Sequence, residues 1–177
     1  MIRLEPIHTS HTHYAFIEKL MQTAFPLQER RDAIPQREQT DSNPLFFTNL
    51  ISEGEKPIGF ITYWNLGTFY YIEHFAIDNL FRNKGFGKAA LGMIKNTLDK
   101  PIILEVELPT DETTLRRIRF YEKLGFTLQT DYPYLQPPYR EGDDWFPLKL
   151  MTTGADFTQD ELEQCKKLIH QKVYSLT

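Results

Sequence analysis

The run Arg82-Asn83-Lys84-Gly85-Phe86-Gly87-Lys88 is the part of this sequence best suited to chemistry. It follows an apolar stretch ending Phe75-Ala76-Ile77 and leads into a helical pattern. The first N–H groups of a helix lack intrahelical partners and sit at the positive end of its dipole, so such a junction attracts anions. Gly85 and Gly87 carry no Cβ and let a phosphate approach the backbone, while Arg82, Lys84 and Lys88 add positive charge. A lone Gly-x-Gly fits equally well a loop that merely opens a helix among solvated basic residues. Two nucleotide motifs fail. A Walker loop needs glycine where Arg82 stands and Ser or Thr where Ala89 stands. The dinucleotide fingerprint needs its third glycine where Ala90 stands, and the strands before the run read as a meander. Upstream, Glu73 is a carboxylate among Tyr71, Ile72 and Phe75. Partial desolvation favours the protonated form of a carboxylate and brings its titration toward neutrality, which suits a base. His74 is the alternative base, on the opposite face if strand side chains alternate. Each also has a plainer reading, as a loop-bonded carboxylate and a packed histidine. His11 and His13 have no Cys, His or acidic cluster beside them, so no metal site is expected.

These residues need elements to hold them. Ile2–Ile7 reads as a first strand. Ser10 caps a helix from His11 to about Phe25, with Tyr14, Ile17, Leu20, Met21 and Ala24 at helical spacing. Leu27 to Asn43 holds a second short helix, with Pro35 and Pro44 as breaks. Leu45–Ser52 and Ile58–Trp64 are strands joined by a hairpin turn at Glu53-Gly54-Glu55-Lys56, and Phe69–Asp78 is a third. The period then changes. Gly85–Leu98 is a helix, Ile102–Val106 a buried strand, and Asp111–Leu124 a helix stopped by Gly125. Phe126–Tyr134 and Trp145–Met151 read as strands around a Pro-rich loop. Thr158-Gln159-Asp160-Glu161 matches a capping box and opens a last helix. The order predicts an α+β fold, a three-layer α/β/α sandwich around a mixed, mostly antiparallel sheet.

A chain of 177 residues, 41% hydrophobic and 25% charged, suits one globular domain. Its net charge of -4 argues against a protein that coats nucleic acid. The single cysteine, Cys165, forms no internal disulfide and lies on the apolar face of the last helix, which makes it a poor nucleophile. There is no signal peptide and no apolar run of roughly 20 residues to cross a bilayer, so the expected location is the cytoplasm.

Two motifs carry a resemblance. Arg82-x-x-Gly85-x-Gly87 after a strand resembles the pyrophosphate loop of the GNAT superfamily of acyl-CoA N-acyltransferases. Phe120-Tyr121-Glu122-Lys123-Leu124-Gly125-Phe126 is similar to that superfamily's helix-to-strand segment. The order of elements matches along nearly the whole chain, with the helix after Thr158 as an addition. The resemblance implies one acetyltransferase domain over residues 1–177, with acetyl-CoA as co-substrate and no metal. It implies that the strand around Phe75, Ala76 and Ile77 splays from Ile102–Val106 and that pantetheine lies in the gap. Arg82, Asn83, Lys84, Gly85, Phe86, Gly87 and Lys88 would hold the pyrophosphate. Tyr121 would be the general acid that protonates the departing thiolate, against the plainer reading of a core tyrosine. Glu73 falls where many members carry Glu or His, and Tyr70-Tyr71-Ile72-Glu73-His74-Phe75 is similar to the corresponding strand of polyamine acetyltransferases. Thr114 and Arg117 stand where the second motif often has Asn and Ala, and are the matching cofactor positions.

The acceptor site would be built by Phe25–Gln39 and Tyr132–Trp145. Tyr132, Tyr134, Tyr139 and Trp145, near Glu141, Asp143 and Asp144, lean toward a cationic small-molecule amine, whereas Glu29, Arg30, Arg31 and Arg37 make the first stretch mixed. The alternatives are a protein or peptide N-acetyltransferase and a non-catalytic acyl-CoA sensor. No nucleic-acid or membrane partner is expected, and either a monomer or a homodimer fits.

Overall fold

The computed structural model describes residues 1–176. Among them are eight strands and five α-helices: β1 (Ile2–Pro6), α1 (Tyr14–Ala24), α2 (Ala33–Ser42), β2 (Phe46–Glu53), β3 (Lys56–Asn65), β4 (Tyr70–Ile77), α3 (Phe86–Thr97), β5 (Ile102–Glu107), α4 (Glu112–Glu122), β6 (Thr127–Leu128), β7 (Tyr134–Gln136), β8 (Phe146–Thr153) and α5 (Gln159–Lys172). They form two compact units. The first joins Met1–Trp64 to Ile72–Thr97, and the second joins Asn65–Tyr71 to the chain from Leu98 onward.

In the first unit β1, β2, β3 and the larger part of β4 lie side by side in that order. β1 and β2 are antiparallel, from Ile2 opposite Glu53 to Pro6 opposite Asn49. β2 and β3 form the expected hairpin, closed by Glu53 opposite Lys56. Gly54, with φ of 60°, supplies the left-handed turn conformation. Strand alternation sends Leu50 and Ile51 to opposite faces, and each face takes a helix. α1 packs Tyr14, Ile17, Leu20 and Met21 onto Leu50, Phe60 and Ala76. Ala90 of α3 packs on Ile51, Ile58 and Ile77. Full burial of each such Leu or Ile stabilises the unit by about 1.5–3 kcal/mol.

Two helix boundaries differ from the pattern. α1 begins at Tyr14 rather than His11, because the His11 ring accepts the His13 N–H at 3.2 Å and holds a turn in place of a helical one. Pro35 lies inside α2 instead of breaking it. It occupies the first turn, where a missing N–H has no intrahelical acceptor to lose. α2 is also unusual in what it hides: its buried side chains are Gln36 and Thr40, while Ile34 is 71% exposed.

At Gly59 β3 lies close against β4. A Cβ there would lie 2.5 Å from the Ala76 carbonyl oxygen and 2.8 Å from Ile77 Cδ1. Gly59→Ala is expected to cost about 1–3 kcal/mol, read as a lower denaturant midpoint with an unchanged slope. An unchanged midpoint would show that β4 yields without strain.

In the second unit β8 is the hub. It pairs antiparallel with β5 from Ile102 opposite Thr153 to Glu107 opposite Leu148, and with β6 and β7 further along. The single strand expected at Phe126–Tyr134 is instead β6 and β7. Between them the Thr130 N–H turns back to the Leu128 carbonyl at 3.1 Å, and Pro133 has no N–H to give a ladder. α4 starts with a capping box between Asp111 and Thr114 and is followed by Gly125, with φ of 84°. The box predicted at Thr158 and Glu161 opens α5, which buries Leu162, Cys165 and Ile169. Burial pushes the Cys165 thiol up to about 11, so it stays protonated at neutral pH. Tyrosines fasten this helix and the residues after it. Tyr132 donates to Glu163 at 2.8 Å, and Tyr174 donates to Glu105 of β5 at 2.9 Å. Tyr134 donates to the same Glu105 carboxylate. Among the described residues no helix is long and apolar enough to cross a membrane.

Candidate active site

The first unit holds Glu73, the strand segment Phe75–Ile77 and the basic loop. Glu73 lies on β4 with its side chain only 1% exposed. The residue as a whole is half-buried, so the part open to solvent is main chain. A buried carboxylate needs partners, and two supply them. Arg31 Nη1 lies 2.7 Å from Oε1, and Trp64 Nε1–H donates to Oε2 at 2.8 Å. Arg31 is itself buried, packs over the Trp64 ring at 5.5 Å, and donates to Gln36 of α2 at 3.3 Å. Desolvation alone would favour a neutral carboxyl, but the guanidinium opposes it and stabilises the charged form.

His74 is fully enclosed. Its Nε2 is 2.8 Å from the Glu29 carbonyl, its main-chain N–H donates to Thr62 Oγ1 at 3.1 Å, and Phe25 packs edge-on to its ring. Burial holds its pKa below the usual value, so the ring is neutral near pH 7. Glu73 and His74 do not point to opposite faces as alternation implies. The Glu73 carboxylate accepts from Trp64, and the His74 ring lies 3.5 Å from the Thr62 hydroxyl, two positions apart on one face of β3. β4 departs from regular alternation here, as strands do at bulges.

A small cleft of about 20 Å³ adjoins the ion pair. Tyr14, Met21, Arg30, Arg31, Gln36 and Thr62 are among its lining residues. Its polar wall is internally bonded, with Thr40 and Thr48 hydroxyls 3.0 Å apart.

The basic loop is built for an anion. The Ala89 N–H bonds to the Gly85 carbonyl at 3.0 Å and is the first link of α3, so the amides of Phe86, Gly87 and Lys88 precede it at the positive helix end. Gly85 has φ of 82°, and a Cβ placed on it would meet nothing within 4 Å, so the approach to this backbone is open. Asn83 is also left-handed, with φ of 61°. Arg82 anchors the loop by donating from Nε to the Ile77 carbonyl at 2.9 Å, and Lys84 lies over Phe81. These residues fit a pyrophosphate.

The second unit holds Tyr121, Thr114 and Arg117. Tyr121 lies on α4 with its ring edge-on to Phe120 and Phe126. Burial pushes its phenol up to about 12, against a smaller opposing pull from Arg117. Among the described residues its hydroxyl has no hydrogen-bond partner, unlike those of Tyr132, Tyr134 and Tyr174. Thr114 closes the α4 capping box, and Arg117 pairs with Glu107. The aromatic residues expected around an acceptor have structural contacts as well: Tyr139 packs on Tyr174, and Trp145 on His170. Among the described residues no group of His, Cys, Asp and Glu is placed to hold a metal ion.

The residues that sequence reasoning missed are Arg31 and Trp64. Arg31 reads as one more charge in a basic stretch and Trp64 as the end of a strand, and only the fold brings them to Glu73.

The model of the acetyltransferase (GNAT) family matches residues 13–126. The chain is 44% identical to a GNAT-family protein of Bacteroides thetaiotaomicron, with 99% of each chain covered and a TM-score of 0.94. It is similar in fold to Arabidopsis thaliana Naa50 in complex with a bisubstrate analogue (TM-score 0.63, 15% identity, 87% of this chain and 99% of that one). It is likewise similar to an Elizabethkingia anophelis GNAT acetyltransferase with acetyl-CoA bound (TM-score 0.58, 16% identity, 87% and 98% covered). Among curated proteins none matches. The fold class is the expected one, mixed and mostly antiparallel strands flanked by helices.

Proposed function

Because the chain belongs to the GNAT family of acetyltransferases, we propose that it moves an acetyl group from acetyl-CoA to a primary amine of a small molecule. Transfer is direct, with both substrates bound, and the chain acts as one transferase domain in the cytoplasm. The observation that carries this reading is the buried Glu73 carboxylate, held by Arg31 and Trp64 in the unit that also holds the cleft and the anion-binding loop.

Bound acetyl-CoA supplies an activated acyl carbon. The amides of Phe86, Gly87 and Lys88 hold its pyrophosphate, and the exposed main chain of β4 near Glu73 and Phe75 bonds its pantetheine. Glu73 takes the proton that the amine nitrogen gives up as its C–N bond forms, directly or through a water. Tyr121 gives a proton to the sulfur as the C–S bond breaks. Holding both reactants replaces a bimolecular encounter with an oriented one, so no acyl-enzyme is needed.

Calorimetry with acetyl-CoA, followed by thiol release over a panel of amines and peptides, tests the proposal. Saturable binding and turnover on small amines are the expected results. Turnover confined to peptides would replace the substrate class, and binding with no turnover would favour a sensor. Absence of acetyl-CoA binding would overturn the cofactor assignment.

A further inference from the structure

None of the residues from Pro26 to Arg30 is buried, yet the next one, Arg31, is enclosed. The span between them folds on itself. The Glu29 N–H bonds to the Pro26 carbonyl at 3.0 Å, and Arg30 Nε donates to the Phe25 carbonyl at 3.0 Å. The turn sends no apolar side chain into the core, so polar ties set its place on the sheet. Two such ties land on neighbouring residues of β4. The Glu29 carbonyl lies 2.8 Å from His74 Nε2, and Arg31 Nη1 lies 2.7 Å from Glu73 Oε1. A carbonyl oxygen only accepts, so Nε2 carries the hydrogen and the His74 ring is the donor. Burial keeps that ring neutral, which leaves Nδ1 bare, 3.5 Å from the Thr62 hydroxyl. The ring is held from two more sides, by the main-chain N–H bonded to Thr62 Oγ1 and by Phe25 packed edge-on at 4.7 Å.

We propose that His74 is a positioning residue, which through the Glu29 carbonyl fixes the turn before α2 at the point on β4 where Arg31 meets Glu73. Two residues of chain span at most about 7 Å, so a shift of the Glu29 carbonyl passes to Arg31 with little slack. A guanidinium is a planar fork whose bonds to a carboxylate depend on the direction of approach, so its backbone must be held as well as its charge. Arg31 also packs over the Trp64 ring at 5.5 Å, but that contact alone leaves the height of the turn on the strand unset. His74 itself is enclosed and its one ring hydrogen is spent on Glu29, which suits a tether and not a base. The effect on acetyl transfer rests on the acetyltransferase reading, whereas the effect on Arg31 does not.

Arginine side-chain NMR tests the tether directly. In the wild type the Arg31 Nη protons are expected as separate signals, because a guanidinium held by a carboxylate turns slowly about its Nε–Cζ bond; Arg31→Lys assigns them. His74→Phe keeps a ring against Phe25 and removes the nitrogen donor, and it should merge those signals. His74→Gln, whose amide can still donate to the Glu29 carbonyl, should keep them apart. Thiol release with acetyl-CoA and the best amine reads the consequence. His74→Phe is expected to lower kcat about 10-fold or more, since a misplacement of about 1 Å can cost roughly 100-fold, and His74→Gln should stay within about 3-fold of the wild type. In a Glu73→Gln background His74→Phe should cost nothing further, because its effect passes through the ion pair. A histidine that merely fills space would lower the melting temperature on substitution and leave the Arg31 signals separate. Separate signals in His74→Phe, equal losses in the Phe and Gln variants, or losses that multiply in the double variant would overturn the proposal. If His74→Phe does not melt cooperatively, His74→Asn, with its shorter amide, takes its place. Absence of turnover in the wild type counts against the transferase reading, and the Arg31 signals then decide the positioning role alone.

Discussion

Tyr121→Phe is expected to lower kcat by about 10²–10⁴-fold, the usual contribution of one positioned acid, with little change in acetyl-CoA affinity. The substitution removes a single oxygen and keeps the ring contacts with Phe120 and Phe126. A core tyrosine with no catalytic part would show the opposite pattern, a small stability change and no rate change. The phenol is pushed up to about 12 by burial, so it carries its proton throughout the neutral range. Its pKa is raised above the unfolded value, so its stabilising contribution is complete below about pH 10 and is lost as pH rises toward 12. The wild-type rate should therefore show no limb from this group below about pH 10. Equal kcat for wild type and Tyr121→Phe would remove Tyr121 from the mechanism.

Arg31→Met is expected to destabilise the protein by about 3–5 kcal/mol, because it strands the Glu73 carboxylate among Trp64 and neighbouring apolar groups. For a chain of this length that is a fall in Tm of roughly 10 °C. The double variant Arg31→Met with Glu73→Gln should recover much of the loss, since no charge then remains buried and Trp64 keeps an acceptor for its N–H. Thermal melts of the wild type, the two single variants and the double variant form a cycle. If the losses in the two single variants simply add, Arg31 and Glu73 are not coupled and the pair is incidental.

Much of the frame is visible in the sequence, because it is local. The basic glycine loop, the hairpin at Gly54 and the capping box at Thr158 each depend on residues a few positions apart, and local patterning reports them. The helical stripe of α1 likewise predicts its buried face, though His11 shifts its start by a side-chain bond that composition does not reveal. What is not visible is whatever depends on pairing across the fold. The partners of Glu73 come from Arg31 and Trp64, which no spacing rule links to it. The face of β4 on which His74 lies is set by a local irregularity in the strand, which alternation cannot foresee. The tyrosines of the segment before β8 read as a ligand cage, yet Tyr132 spends its hydroxyl on Glu163 of α5 and Tyr134 on Glu105 of β5.

The polar attachment of α2 bears on how such a protein can change over time. The helix contributes Gln36 and Thr40 to the interior and no large apolar side chain, so its substitution takes little from the hydrophobic core. Its N-terminal turn and the residues just before it nevertheless form one wall of the cleft. Apart from Arg31, whose loss strands Glu73, mutations there, as at the exposed Ala33, can alter the cleft while leaving the folding free energy nearly intact. The contact between β3 and β4 has no such latitude. Gly59 sits against Ala76 and Ile77 with no space for even a methyl group, and change at that end meets a stability threshold at the first step. One unit thus joins a strand contact that cannot take a methyl group to a helix whose outer face tolerates change.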